Sequence, residues 1–213
     1  MARNRANANP DPNPNPEAER EGLRARIVEA AQKMLQKGLV VGSLGNVSAR
    51  DPQDMNVMHI TPTSLPYECM APADVATMTV EGEVLSGKPS SEWRLHAAIY
   101  RAFPEARAAV HAHGIYAQAW SFLSEPLPAH TEELEIFAGG DVRVARYAPS
   151  GTQELARNAV QALEGRRAAL LARHGIVAVG ASLEEALTVC EIVERQAHVA
   201  LLLRMLRVGV RGP

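Results

Sequence analysis

The sequence predicts an α/β fold: a sheet with helices on its faces and many antiparallel strand pairings. Three observations predict it. Short apolar runs of strand character are interleaved with segments of helical periodicity. Their order shows no regular strand–helix repetition. Two pairs of runs, near residues 75–85 and 168–179, are joined by tight turns.

The elements follow in chain order. Leu23, Ile27, Ala30, Ala31, Met34 and Leu35 recur at helical spacing, predicting a helix over 17–37 that Gly38 stops. An apolar stretch at 39–41 and the loop 42–46 lead into a short strand at 47–49. Residues 57–60 form a strand ended by Thr61 and Pro62, and Pro66, Pro72 and Asp74 mark an irregular connection. Runs at 75–80 and 84–85 flank Glu81-Gly82-Glu83, a hairpin turn. Ser91 can cap a helix that runs to Phe103 and stops at Pro104. A strand over 108–113, a helix over 115–123 and a short helix over 131–138 come next. A strand over 141–145 precedes a helix over 152–163 that stops at Gly165. Strands at 168–172 and 176–179 pair around His174-Gly175. Ser182 and Glu185 form a capping box that opens a long helix from 183 to about 207.

Composition narrows the function. The 213 residues suffice for one domain with a sizeable core, and 46% hydrophobic with 22% charged residues is ordinary for a soluble globular chain. A net charge of -2 provides no basic field for nucleic acid or an anionic membrane surface. With 4% aromatic residues there is no stacking platform for single strands. Cys69 and Cys190 are far apart and form no CxxC, so a reducing cytosol is the expected compartment. Residues 1–16 repeat Asn-Pro and Asp-Pro steps without an apolar core, which predicts a flexible tail rather than a signal peptide, with the domain spanning 17–213. No run approaches the ~20 apolar residues of a membrane span.

The chemistry concentrates in histidine and glutamate. His111 and His113 close an apolar strand, and side chains two apart on a strand share a face, so both imidazoles reach one point. His174 ends a second strand-like run and Glu92 lies just upstream of the first. Three imidazoles and a carboxylate match a zinc-type site. Glu92 can be a fixed ligand, or a base beside the cation for a proton next to a carbonyl; a glutamate at a helix N-terminus is also favoured by the helix dipole. His59, His96, His130 and His198 are not expected to be ligands; His96, one turn after Glu92, can hydrogen-bond it or pack beneath it. Gly45-Asn46, Thr63-Ser64 and Ser90-Ser91 are small polar pairs at loops or a helix start. They suit either turn chemistry or a phosphate dianion. No Walker sequence or GxGxxG fingerprint is present.

Gly45-Asn-Val-Ser48, Ile60-Thr-Pro-Thr63, Pro66-Tyr67, Pro89-Ser-Ser-Glu-Trp-Arg-Leu-His96, Val110-His-Ala-His113 and Arg173-His-Gly175 occur in this order. Together they resemble the class II aldolase/adducin family over residues 20–205. The resemblance implies a three-layer α/β/α fold around a mainly antiparallel sheet, and a homotetramer with sites between subunits. It implies Zn²⁺, or another divalent metal such as Mn²⁺, on His111, His113 and His174, with Glu92 as a further ligand and the acid/base. It places a substrate phosphate on Gly45, Asn46, Thr63, Ser64, Ser90 and Ser91. The activity implied is cleavage of a ketose 1-phosphate, such as L-fuculose 1-phosphate, to dihydroxyacetone phosphate and an aldehyde. Related epimerase, dehydratase and decarboxylase activities, and a non-catalytic adducin-like binding domain, are the alternatives.

Two departures from the family pattern stand out. Thr63-Ser64 replaces the usual Thr-Gly, keeping the backbone donor but losing glycine's conformational freedom. A tyrosine that serves the aldehyde oxygen is replaced in the segment before Gly139-Gly140, where Glu133 takes its place, and the C-terminal Val-Arg-Gly-Pro offers no substitute.

Overall fold

A computed structural model describes residues 15–206. The expected tail therefore lies outside the described residues up to residue 14, as does the C-terminal segment from 207 onward. Asn15 already belongs to the fold, since its side chain caps the first helix through Glu17 N.

Helix α1 spans Pro16–Gln36, with proline in its first turn, where no intrahelical donor is lost. Strands β1 (Asn46–Arg50) and β2 (Val57–Ile60) form a hairpin. Two 3-10 turns, Tyr67–Cys69 and Pro72–Asp74, carry the chain to β3 (Ala76–Thr79) and β4 (Val84–Ser86). Helix α2 (Trp93–Ala102) is followed by β5 (Ala108–Ala112), α3 (Ile115–Ser121), α4 (Glu132–Ala138) and β6 (Arg143–Ala145). Helix α5 (Gln153–Leu163), β7 (Ala168–Leu171), β8 (Gly175–Gly180) and α6 (Leu183–Met205) complete it. Among the described residues, no helix is long and apolar enough to cross a membrane.

The eight strands form one sheet in the order β4-β3-β2-β1-β5-β8-β7-β6. Every pairing is antiparallel except β6 with β7. That exception follows from α5, which returns the chain to the starting edge as a crossover must. The sheet is thus mainly antiparallel, as expected, with one parallel pairing at this edge.

Side-chain alternation builds two cores. Val110, Ala112, Leu170, Ile176 and Ala178 face one layer with α1, α3, α4 and α6. Ala109, Ala169, Leu171, Val177 and Val179 face the other with α2 and α5. His111 continues the second series, so its ring lies on the α2 side. The central strands are buried on both faces, which explains why they read as continuous apolar runs.

The apolar stretch 39–41 is an irregular link: Leu39 N bonds back to Met34 O and its carbonyl accepts His113 N, while Val41 is exposed. Two local expectations change. Ser91 does not cap α2; Glu92 holds that position, and Trp93 N turns back to Ser90 O. At α6, Ser182 Oγ accepts Glu185 N as a capping box requires, but the Glu185 carboxylate reaches Ala181 N, one residue further back.

Candidate metal centre

The four expected ligands converge. Glu92, His111, His113 and His174 each offer one atom, and these atoms all lie within 4.8 Å of one another. His111 Nε2 stands 2.9 Å from His113 Nε2, 3.2 Å from His174 Nε2 and 3.1 Å from Glu92 Oε2. Glu92 Oε1 is 3.6 Å from His174 Nε2. Two nitrogens on one tetrahedral zinc at about 2.0–2.1 Å would be roughly 3.3 Å apart. The cluster therefore already has the spacing and donor set of such a site, and the residues fit a divalent cation.

Each ligand is positioned by its own element. His111 lies opposite Asn46 on β1 and Val177 on β8, and its Nδ1 donates to Ile176 O at 2.8 Å. That bond directs the Nε2 lone pair of the neutral ring into the cluster. His113 follows the end of β5 and is held by its amide on Leu39 O at 2.9 Å. His174 sits in the tight β7–β8 connection after Arg173, which adopts φ 58. Gln118 Nε2 donates to the carbonyl of His174 at 3.0 Å. A Cβ on Gly175 would meet Ala112 O at 2.3 Å, so only glycine lets β8 start this close to β5.

Glu92 occupies the cap position of α2 without bonding its amides. Its carboxylate turns into the cluster instead, accepting Ser150 Oγ at 2.7 Å on Oε1 and Asn46 Nδ2 at 3.1 Å on Oε2. Burial would raise its pKa, but His111 and the hydrogen bonds from His111 and Ser150 outweigh that and hold it well below the usual carboxylate range. His111 is pushed down by burial and, more strongly, up by Glu92, leaving it raised. Burial and the neighbouring His111 lower His113 to about 3 and His174 to about 4. The lowered values of His113 and His174 favour the neutral rings that a divalent cation requires of its imidazole ligands.

Gly45, Asn46, Ser90 and Ser91 adjoin the cluster residues directly, and Thr63 and Ser64 lie on the loop paired with the Ser90 segment. Asn46 touches Glu92, and Gly45 is anchored by Tyr67 Oη, which donates to its carbonyl at 2.6 Å. Thr63 N bonds Lys88 O, Ser90 N bonds Thr61 O, and Pro62 bridges Pro89, so the loops bearing Thr63-Ser64 and Ser90-Ser91 run side by side. Ser64 adopts φ 60, the left-handed conformation the family's glycine would take without cost. Ser90 Oγ accepts Glu92 N at 3.3 Å and is buried, whereas Ser64 and Ser91 are exposed.

Glu133 is not brought to the cluster. It stands exposed in the first turn of α4 beside Glu132 and Glu135, with no hydrogen bond or ion pair to the four ligands. His130 is exposed, His198 stacks on Tyr116 with centroids 3.7 Å apart, and His59 bonds Asp51 at 2.8 Å. His96 bonds Asn46 rather than Glu92.

Sequence reasoning missed Ser150 and Glu194. Ser150 lies in a Pro-Ser-Gly turn, a signal of loop geometry only. Gly151 at φ 73 lets that turn approach Ser91 O, 3.0 Å from where a Cβ would be, which carries the hydroxyl to Glu92. Glu194, on α6, accepts Tyr116 N at 3.0 Å and Ala117 N at 2.8 Å, tying down the start of α3 directly after His113. No local pattern marks it.

Comparison with known proteins agrees with this geometry. Residues 25–201 match the family described as Class II Aldolase and Adducin N-terminal domain. The chain is 39% identical over 183 residues to L-fuculose phosphate aldolase of Escherichia coli O6:H1, covering 85% of this chain and 84% of that one. It is 37% identical over 180 residues to a 5-methylthioribulose-1-phosphate/5-deoxyribulose-1-phosphate aldolase of Rhodospirillum rubrum, covering 84% and 80%. A solved L-fuculose 1-phosphate aldolase structure superposes with a TM-score of 0.85 at 38% identity, covering 90% of this chain and 91% of that one.

Proposed function

The chain belongs to the class II aldolase/adducin family, as a sugar-phosphate aldolase, and on that premise we propose that it cleaves a ketose 1-phosphate to dihydroxyacetone phosphate and an aldehyde. L-fuculose 1-phosphate and 5-deoxyribulose 1-phosphate are the substrates that its relatives' names suggest. The single observation carrying this reading is the convergence of three imidazole nitrogens and the Glu92 carboxylate within 4.8 Å of one another.

His111, His113 and His174 would hold Zn²⁺, with Glu92 as a further ligand, and Mn²⁺ is the other metal to test. A bound divalent cation polarises a carbonyl oxygen and stabilises negative charge beside it. Glu92 is the acid/base. In cleavage the C3–C4 bond breaks, the Glu92 carboxylate takes up the proton that the C4 hydroxyl releases as it becomes the aldehyde, and Glu92 then delivers that proton to C3. In synthesis Glu92 takes that proton back. Ser150 and Asn46 hold its two oxygens, so the carboxylate presents a fixed edge to the substrate carbon.

The phosphate is read by Gly45, Asn46, Thr63, Ser64, Ser90 and Ser91. The start of α2 and the paired loops beside it supply outward amides and hydroxyls, which favours an anion there. Glu133 serves the aldehyde side. Because it does not meet its own cluster, that role requires a neighbouring copy, in keeping with a homotetramer whose sites lie between subunits. Exposed Val41, Leu44 and Ile115, in segments next to the ligand residues, support burial of this face against another copy.

The test is an aldol-cleavage assay on both ketose 1-phosphates with and without chelator. Zinc-dependent release of dihydroxyacetone phosphate is expected. Full activity of metal-free His111→Ala protein would reject the reading. A glutamate where the family carries tyrosine favours a second reading, an epimerase, dehydratase or decarboxylase of related phosphates; product analysis by NMR separates it from carbon–carbon cleavage.

A further inference from the structure

Behind Glu92 and Asn46 lie three buried polar groups, His96, Ser48 and Tyr100, that the proposed reaction does not touch. Asn46 Oδ1 is 2.5 Å from His96 Nε2, His96 Nδ1 is 2.6 Å from Ser48 Oγ, and Ser48 Oγ is 2.7 Å from Tyr100 Oη. Ser48 and His96 are 0% exposed, Tyr100 1% and Asn46 2%. The residues come from two elements, β1 and α2, that face each other across the second core.

The directions of these bonds follow from one end. A carboxylate only accepts, so Asn46 must present its NH₂ to Glu92. Its carbonyl oxygen then faces His96, whose Nε2 must carry the hydrogen. His96 touches no carboxylate and is fully buried, which keeps it neutral, so Nδ1 is a bare acceptor. Ser48 therefore donates to Nδ1, and Ser48 in turn accepts from Tyr100. Reversing any one bond would set the Asn46 carbonyl oxygen against the Glu92 carboxylate.

We propose that His96, held in its Nε2–H form by Ser48 and Tyr100, is a positioning residue that locks the side-chain amide of Asn46 so that its NH₂ clamps the Glu92 carboxylate. The second hydrogen of that NH₂ stays free for a substrate oxygen. The inference rests on Glu92 being the acid/base, but the tautomer it requires does not. A buried, fully satisfied network of this kind has one arrangement, whereas an asparagine facing solvent could rotate its amide by half a turn at little cost.

The tautomer is read directly by nitrogen-15 NMR of histidine-labelled protein, which needs no substrate. His96 is expected to give the neutral Nε2–H pattern throughout pH 5–8, and Ser48→Ala to give a mixture of both tautomers. An Nδ1–H or charged His96 in the unaltered chain overturns the proposal whatever the substrate proves to be. A cycle of His96→Leu, Asn46→Ala and the double variant supplies the functional arm. His96→Leu is expected to lower kcat at least 10-fold with zinc content kept, and to cause no further loss of kcat once Asn46 is alanine. Losses that multiply would overturn action through Asn46. If His96→Leu does not fold, Ser48→Ala takes its place in the cycle with the same expectation. Absence of aldol cleavage in the unaltered chain, with the Nε2–H tautomer observed, would refute the proposed function and leave the amide lock standing.

Discussion

A Cβ on Gly45 would stand 2.6 Å from the carbonyl oxygen of His111. The glycine precedes Asn46, the cross-strand partner of His111, and adopts φ 75. The missing side chain is thus what lets the loop before β1 lie against the strand that carries His111. Gly45→Ala is expected to destabilise by about 2–4 kcal/mol, combining left-handed strain with overpacking, and to weaken zinc binding by displacing His111. Gly38→Ala is the control: φ is 70 there, but nothing lies within 4 Å, so only about 1 kcal/mol is lost. Urea midpoints and zinc titrations compare the two.

Ser64 keeps a left-handed conformation that glycine adopts freely. Ser64→Gly is expected to raise stability by about 0.5–1 kcal/mol, relief of strain exceeding the added freedom of the unfolded chain. The urea midpoint should rise with an unchanged slope. A loss of stability would mean that the serine hydroxyl contributes more than its backbone costs.

Glu194 makes both bonds to the first-turn amides of α3, and a Cβ on Gly114 would approach its Oε2 to 2.4 Å. Glu194→Ala should cost about 1–3 kcal/mol by leaving two partly buried donors without partners. Because His113 is one residue before Gly114, zinc affinity should fall as well. Unchanged zinc affinity in a destabilised but folded variant would show that the ligand is held by β5 alone.

Asp51 gives the protein an acid-sensitive joint. Burial would raise its pKa, yet hydrogen bonds from Arg20 and His59 and from the Gln53 amide bring it down to about 2. Its folded value is depressed, so its contribution is present above pH ~4 and lost as pH falls toward 2, up to about 2 kcal/mol. His59 is also lowered, chiefly by burial, and acts in the same direction, since charging it below its ordinary value near 6.5 opposes folding. Stability should therefore decline as pH falls, most steeply between 4 and 2. Asp51→Asn should be less stable at pH 6 and flatter between 4 and 2 in urea titrations.

Much of the site is legible along the chain. The two-residue spacing of His111 and His113 predicts a shared face because successive strand side chains alternate; β5 ends at Ala112, yet the two Nε2 atoms still meet at 2.9 Å. The end of a second apolar run marked His174, and the turn residues marked the loops at 45–46, 63–64 and 90–91. Glu92 stands out by its place upstream of the His111–His113 run, although Ser91 and not Glu92 is expected at the cap of α2. The supporting groups were not legible: Ser150 lies 58 residues from Glu92, and Glu194 lies 78 from Tyr116. Neither sits in a pattern of its own.

The amino-acid order by itself determined the period of each strand and helix, the turns that break them and the shared strand spacing of His111 and His113. These depend on backbone sterics and on neighbours a few residues away. Folding decided the parallel edge pairing, the turn of the Glu92 carboxylate away from its own helix, and the bonds that orient Asn46 and His96. Those outcomes depend on which buried donor meets which buried acceptor across the sheet, and desolvation enforces that match only once distant segments have closed on each other.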